Sequence, residues 1–189
     1  MAVVSWFDPF AAMRKFLSTP IVIPTRCYPF RELPDGRQCL ITSKHADENP
    51  ERSGNVYRGE RTKRHDGIDW MVKAAEGDSW HYKHRYFCPP RCVAVAAGEI
   101  MSVQLKPGNG ARIWLDLGDG DRIAYLHLDP DEVLVERGDA VEMGQDLAGM
   151  AGKRYTWPTH LHNELSEFSR YRPRNPAPWF QSAVYLPPL

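Results

Sequence analysis

Residues 111–128, "ARIWLDLGDGDRIAYLHL", limit the fold more than any other stretch. Side chains alternate across a strand with a period of two, so Ile113, Leu115 and Leu117 share one face of the first run. The glycine–aspartate pairs that follow supply a tight turn of the type that joins antiparallel strands. The return run places Ala124, Leu126 and Leu128 on one face and Tyr125 and His127 on the other. This predicts an antiparallel strand pair with His127 on its polar, pocket-facing side. Neighbouring stretches repeat the pattern. "CVAVAAGEIMSVQL" (92–105) reads as two short strands broken near Gly98, and "VLVERGDAVEMGQDLAG" (133–149) as short strands hinged at Gly138 and Gly144. Sixteen prolines and fourteen glycines fit many short strands and turns better than a helical bundle.

A chain of 189 residues is long enough to bury a core within one domain. Its 24 basic and 24 acidic residues cancel, which leaves no field to hold nucleic acid. No apolar run approaches the roughly 18 residues that a membrane span needs. Asp8, Arg14 and Lys15 interrupt the stretch where a signal peptide has its apolar core, so no Sec signal is expected. The protein is then made in the cytoplasm, and it stays there or leaves by a route its own sequence does not encode. Phe10, Met13 and Leu17 have helical spacing, and predict a short packing helix from about 9 to 17. Residues 43–64 are charged and turn-rich, and read as a long loop. Cys27, Cys39, Cys88 and Cys92 allow three full pairings, with a local bridge between Cys88 and Cys92 among the options. "HYKHRYFCPPRC" also reads as a structural zinc cluster of His81, His84, Cys88 and Cys92, although its spacing is not that of a standard zinc finger. Free thiols are the third option.

Chemistry concentrates in two short stretches. "THLHNEL" (159–165) presents His160 and His162 to one side of a strand, with Leu161 turned to the core. The pair is a metal ligand beside a catalytic base, or two histidines on a wet face. "RHDGIDW" (64–70) holds His65 and Asp69 on one face of an extended segment, and Gly67 between them leaves room for an ion or a substrate backbone. Zinc takes imidazole nitrogen and carboxylate oxygen at about 2.0–2.2 Å, and three protein ligands leave a fourth position for water. His65, Asp69 and one histidine of the H-x-H pair make such a set. Glu164 lies on the same face as that pair, either as an acceptor that orients His162 or as a solvated carboxylate.

In order along the chain, "HDGID" (65–69), "AVAAGEI" (94–100), "YLHL" (125–128), "VLVERGDAVEMGQDL" (133–147) and "THLHNE" (159–164) resemble the LytM/lysostaphin-type zinc endopeptidases of peptidoglycan, peptidase family M23. That family reads H-x-G-x-D, then A-x-x-x-G-x-V, Y-x-H-L, V-x-x-G-x-x-V-x-x-G-Q-x-(I/L) and P-H-L-H-F-E. "NPAPWF" (175–180) resembles its closing segment. The resemblance implies a mainly β, antiparallel sheet or sandwich domain of the LytM (duplicated hybrid motif) type, with long loops and the short N-terminal helix added. It implies a lead-in at 1–37, a peptidase domain at 38–181 and a tail at 182–189.

By the same resemblance, His65, Asp69 and His162 correspond to the ligands of one catalytic zinc ion, and His127 and His160 to the two catalytic histidines that do not bind it. The implied substrate is a peptide bond in peptidoglycan stem peptides or cross-bridges. The implied setting is the cell wall, reached by holin-assisted release of a phage or prophage lysin, or as part of a virion. Two other classes remain open: a non-catalytic LytM-like module that binds wall or activates an amidase, and a virion structural protein with a closed zinc site. The chain departs from the family in an insertion at about 70–91, whose Trp80 is a candidate substrate contact, as is Tyr125 beside His127. Pro158-Thr159 replaces the usual Gly-Pro lead-in, and Asn163 the usual aromatic residue, with its side chain expected to point away from the metal.

Overall fold

The computed structural model describes residues 25–43, 56–57, 60–61, 65–75, 86–89, 91–106, 108–150, 160–167 and 173–188. The helix expected at 9–17, Trp80, His81 and His84 lie outside the described residues. The strands are β1 Cys39–Ser43, β2 Val56–Tyr57, β3 Glu60–Arg61, β4 Ile68–Lys73, β5 Tyr86–Phe87, β6 Arg91–Val93, β7 Gly98–Lys106, β8 Gly110–Asp116, β9 Asp121–Val133, β10 Ala140–Val141, β11 Asp146–Met150, β12 Leu161–Glu167 and β13 Pro173–Arg174. All strand pairs among the described residues are antiparallel. The main sheet runs β1-β4-β12-β9-β8-β7-β10, with β11 joining β9 to β6, and β5 and β13 flanking β4 and β12. The ribbon β2-β3 stands apart, within the stretch read from sequence as a loop. The chain is thus mainly antiparallel β, as expected.

Register decides which side chains meet. Residues directly opposite one another on paired strands share a face. One row across the sheet joins Ile68, Asn163, Tyr125 and Ile113, and another joins Leu165, Ile123 and Leu115. All seven are buried, and together with Trp70, Val72 and Leu161 they line the inner face. Fully burying one such aliphatic or aromatic side chain stabilises the fold by about 1.5–3 kcal/mol. The outer face carries Asp69 opposite His162, and Glu164 opposite Ala124 and, beyond it, Trp114.

The alternation expected along the return run fails at one step. On β9 the pairing passes from Tyr125↔Ile113 to Leu128↔Ala111, so β9 has one residue more than β8 between these pairs. This is a β-bulge, and His127 sits in it with a left-handed φ of 66°. Tyr125 therefore faces the core with Ile123. It is fully buried, and its hydroxyl oxygen accepts a hydrogen bond from the Val95 N–H at 2.9 Å. Tyr125 does not share a face with His127 and is no candidate substrate contact. Past the bulge, Leu128 returns to the core.

The two ends of the described chain close over the inner face. The Tyr28 ring stacks on Tyr185 at 4.1 Å and meets Trp70 edge-on at 5.7 Å, while Phe180 packs against Trp70 at 4.9 Å. Cys27 and Val184 form a parallel bridge. All four cysteines are free thiols, which removes the local Cys88–Cys92 bridge. Burial pushes the Cys27, Cys39 and Cys92 thiols up to about 12, so they stay protonated and act as small apolar groups.

Candidate functional site

The site is assembled by the pairing of β4 with β12. Asp69 is the second residue of β4 and His162 the second of β12, and the register sets them opposite each other. The His162 Nδ1 lies 2.8 Å from Asp69 Oδ1. His65 enters from the extended segment before β4 and brings Nε2 to 3.3 Å from the same oxygen. His160 precedes β12 and stands with Nε2 at 3.6 Å from it. One carboxylate oxygen thus faces three imidazoles.

Gly67 makes this approach feasible. A Cβ at that position would lie 2.2 Å from the Asn163 carbonyl oxygen and 2.6 Å from His162 Nε2. The glycine is required because β12 and the His162 ring occupy the space that any side chain would need. Asn163 points inward as expected and donates through Nδ2 to the Ala124 carbonyl at 2.8 Å.

His127 reaches the site through the bulge. Its ring centroid is 4.6 Å from that of His160 and 6.1 Å from that of His162. Its Nδ1 lies 3.3 Å from the Asn109 carbonyl oxygen. A carbonyl only accepts, so Nδ1 carries the hydrogen and Nε2 of the neutral ring is left as the acceptor. Asn109 is not legible in the sequence, because a backbone carbonyl leaves no mark in residue identity.

Electrostatics separate the roles. Burial alone would raise the Asp69 carboxyl, but hydrogen bonds to His162 and His65 and the nearby histidine charges hold it well below the usual carboxylate range. Burial disfavours the His162 imidazolium. Its hydrogen bonds to Asp69 and Glu164 outweigh that effect and bring it up to about 9. His127 moves the other way, down to about 4, through burial and then repulsion from His160 and His162. The metal-free site therefore pairs an anionic Asp69 with a cationic His162 and keeps His127 neutral.

Among the described residues, His65, Asp69 and His162 form the group whose donor atoms converge, all within 4.8 Å of one another. A tetrahedral ion with ligands at about 2.0–2.1 Å sets them about 3.4 Å apart, so this group is compact enough to hold zinc. Two imidazoles and a carboxylate are the donor set of a catalytic rather than a structural zinc. Glu164 Oε1 lies 3.5 Å from His162 Nε2, on the side away from Asp69. Glu164 Oε2 accepts a 2.6 Å hydrogen bond from Arg112 Nη2.

The model of Peptidase family M23 matches residues 63–176, more than half of the chain. No match was found among curated proteins. A zinc-containing peptidase from Vibrio cholerae is similar in structure, with a TM-score of 0.53 and 23% identity over 86% of this chain and 41% of that one. The chain thus spans less than half of that peptidase. The catalytic domain of the antimicrobial peptidase lysostaphin from Staphylococcus simulans is similar at TM-score 0.53 and 20% identity, over 82% of this chain and 99% of that domain. A chain of the SpoIIQ–SpoIIIAH pore-forming complex is similar at TM-score 0.58 and 20% identity, over 85% of this chain and 94% of that one.

Proposed function

This chain belongs to peptidase family M23, and from that premise we propose that it is a zinc-dependent endopeptidase that hydrolyses a peptide bond in peptidoglycan stem peptides or cross-bridges. The observation that carries the reading is the convergence of three histidines on a single oxygen of Asp69, with His127 poised beside them. His65, Asp69 and His162 would hold the metal. When bound, zinc supplies Lewis-acid polarisation of the scissile carbonyl and brings the acidity of water near neutral pH.

The chain's own residues do the rest. His127, neutral and with Nδ1 committed to Asn109, accepts a proton at Nε2 as general base. His160 stands beside it, with ring centroids 4.6 Å apart. It donates a hydrogen bond to the developing oxyanion or a proton to the leaving amine. The Glu164 carboxylate, 3.5 Å from His162 Nε2, pairs with that edge of the ring and would keep Nδ1 turned to the metal. A module that only bound wall or activated an amidase would have no use for a base placed in a backbone bulge beside the ligands. Delivery to the wall by holin-assisted release or within a virion belongs to the same proposal.

The test is mass spectrometry of purified Gram-negative and Gram-positive sacculi after incubation with the protein, with and without a zinc chelator. New peptide fragments that vanish with chelator are expected, and their termini identify the bond cut. Intact sacculi after treatment with folded, zinc-loaded protein would overturn the enzymatic reading in favour of the binding module.

A further inference from the structure

We propose that Arg112 is a positioning residue for the metal centre. Through Glu164 it holds the His162 ring with Nδ1 toward Asp69 and Nε2 away from it. The inference rests on the metal-binding reading above and extends it to a residue two strands away, on β8. Its starting point is the bulge. Between the pairs Ile113↔Tyr125 and Ala111↔Leu128, Arg112 is the single residue of β8 that stands against Leu126 and His127 of β9. Arg112 shares the outer face with Trp114, and its guanidinium carbon lies 5.1 Å from the centre of that ring. From there it spans β9 and meets Glu164 of β12 at 2.6 Å.

The pair is largely withdrawn from water, with side-chain exposures of 18% for Arg112 and 8% for Glu164. Arg112 Nε is buried and has no hydrogen-bond partner among the described residues. A guanidinium left partly unsatisfied contributes little to stability, because removing a charge from water offsets most of what the pair returns. Apolar residues would fill the same space at less cost. What they would not supply is a fixed acceptor behind His162. Glu164 has two oxygens, and the geometry divides them: Oε2 is taken by Arg112, and Oε1 faces His162 Nε2 at 3.5 Å. A carboxylate anchored at one oxygen cannot swing away, so Nε2 keeps its hydrogen and Nδ1 is the nitrogen that gives up its proton to take the metal. The chain Arg112–Glu164–His162–Asp69 therefore ties the bulge that carries His127 to the strand that carries a metal ligand.

The experiment uses the full chain, under conditions where each variant stays folded, and reads two quantities. One is zinc affinity by competition with a chromophoric chelator. The other is the hydrogen on His162 Nε2 in metal-free protein, followed by NMR with 15N-labelled histidine, where anchoring by Glu164 protects it from exchange. Arg112→Met should weaken zinc binding about tenfold or more and abolish that protected resonance, with Arg112→Lys recovering part of both. In the double variant Arg112→Met/Glu164→Leu, which leaves no unpaired buried charge, the zinc loss should equal that of Glu164→Leu alone, because Arg112 acts through Glu164. The proposal is overturned if Arg112→Met, or Arg112→Lys where Met does not fold, holds zinc within twofold of the parent and keeps the resonance. It is overturned as well if the losses in the double variant multiply. A parent protein that binds no zinc would sink the metal reading, while the exchange measurement would still decide whether Arg112 anchors His162.

Discussion

At the scale of single residues, His127 stands out for its backbone. An L-residue in the left-handed region costs roughly 1–2 kcal/mol, and His127 adopts φ 66° with no glycine to relieve it. Strain of this kind collects where function needs a side chain aimed off the regular path. Two substitutions separate aim from strain. His127→Ala and His127→Gly should both retain zinc and both lose turnover by about a hundredfold or more. The glycine variant should be the more stable of the two by about 1 kcal/mol, read from denaturant midpoints. A fully active His127→Ala protein would remove the residue from the mechanism.

His162 and Asp69 make a pH prediction at the same scale. The His162 pKa is raised by folding, so its contribution to the metal-free protein is complete below about 6.5 and is lost as pH climbs through about 9. The Asp69 pKa is lowered by folding, so its contribution is complete above about 4 and is lost as pH falls further. On account of this pair, the chelator-treated protein should lose melting temperature between about pH 6.5 and 9. Zinc has to displace the His162 proton, so its affinity should rise about tenfold per pH unit across that interval. Calorimetry in buffers of different ionisation enthalpy should report about one proton released per zinc bound. An affinity indifferent to pH would show that His162 is not protonated in the free site.

Between elements, the decisive contact is the approach of β12 to the segment before β4. It brings the backbone and the His162 ring against Gly67 with no space for a methyl group. Gly67→Ala should cost about 3 kcal/mol in chemical denaturation and weaken zinc binding at the same time, because relief of the clash moves a ligand. The bulge between β8 and β9 acts at the same level. One extra residue on β9 turns His127 outward and leaves Tyr125 and Leu128 both facing the core. Regular pairing would bury an imidazole or expose an aliphatic side chain, since a shift of one residue reverses every side chain beyond it.

For the molecule as a whole, residues 25–33 and the stretch from Trp179 to Leu186 close over the sheet face opposite the site. Arg26 lies with its guanidinium 4.4 Å from the Trp179 ring centre and donates to the Trp179 carbonyl, while Tyr185 donates to the Cys39 carbonyl. This clasp and the His65–Asp69–His162 group are on opposite sides of β4 and β12. Phe180→Ala should therefore destabilise the protein by about 3–5 kcal/mol while leaving the zinc affinity of folded molecules unchanged. Unfolding curves recorded beside zinc titrations below the melting transition would test that separation. A parallel fall in zinc affinity would mean that the two faces are coupled through the strands.

Local patterning was enough to establish the β character of the chain, the hairpin at "GDGD" and the residues gathered at the site, because a period of two, turn chemistry and metal-ligand residue types are local properties. His65, Gly67, Asp69, His160 and His162 were legible in that way, and all converge. Tertiary structure alone decided that Tyr125 is core and His127 is not. A bulge is a mismatch between two strands, and neither strand records it separately. The same holds for Arg112, which reads as one more polar position on an alternating strand until Glu164 is placed 2.6 Å away. The cysteines stayed undecided at the level of sequence because pairing depends on distance in space, and folding leaves all four as thiols. What a residue faces across a sheet is a property of register, and register exists only once the strands have met.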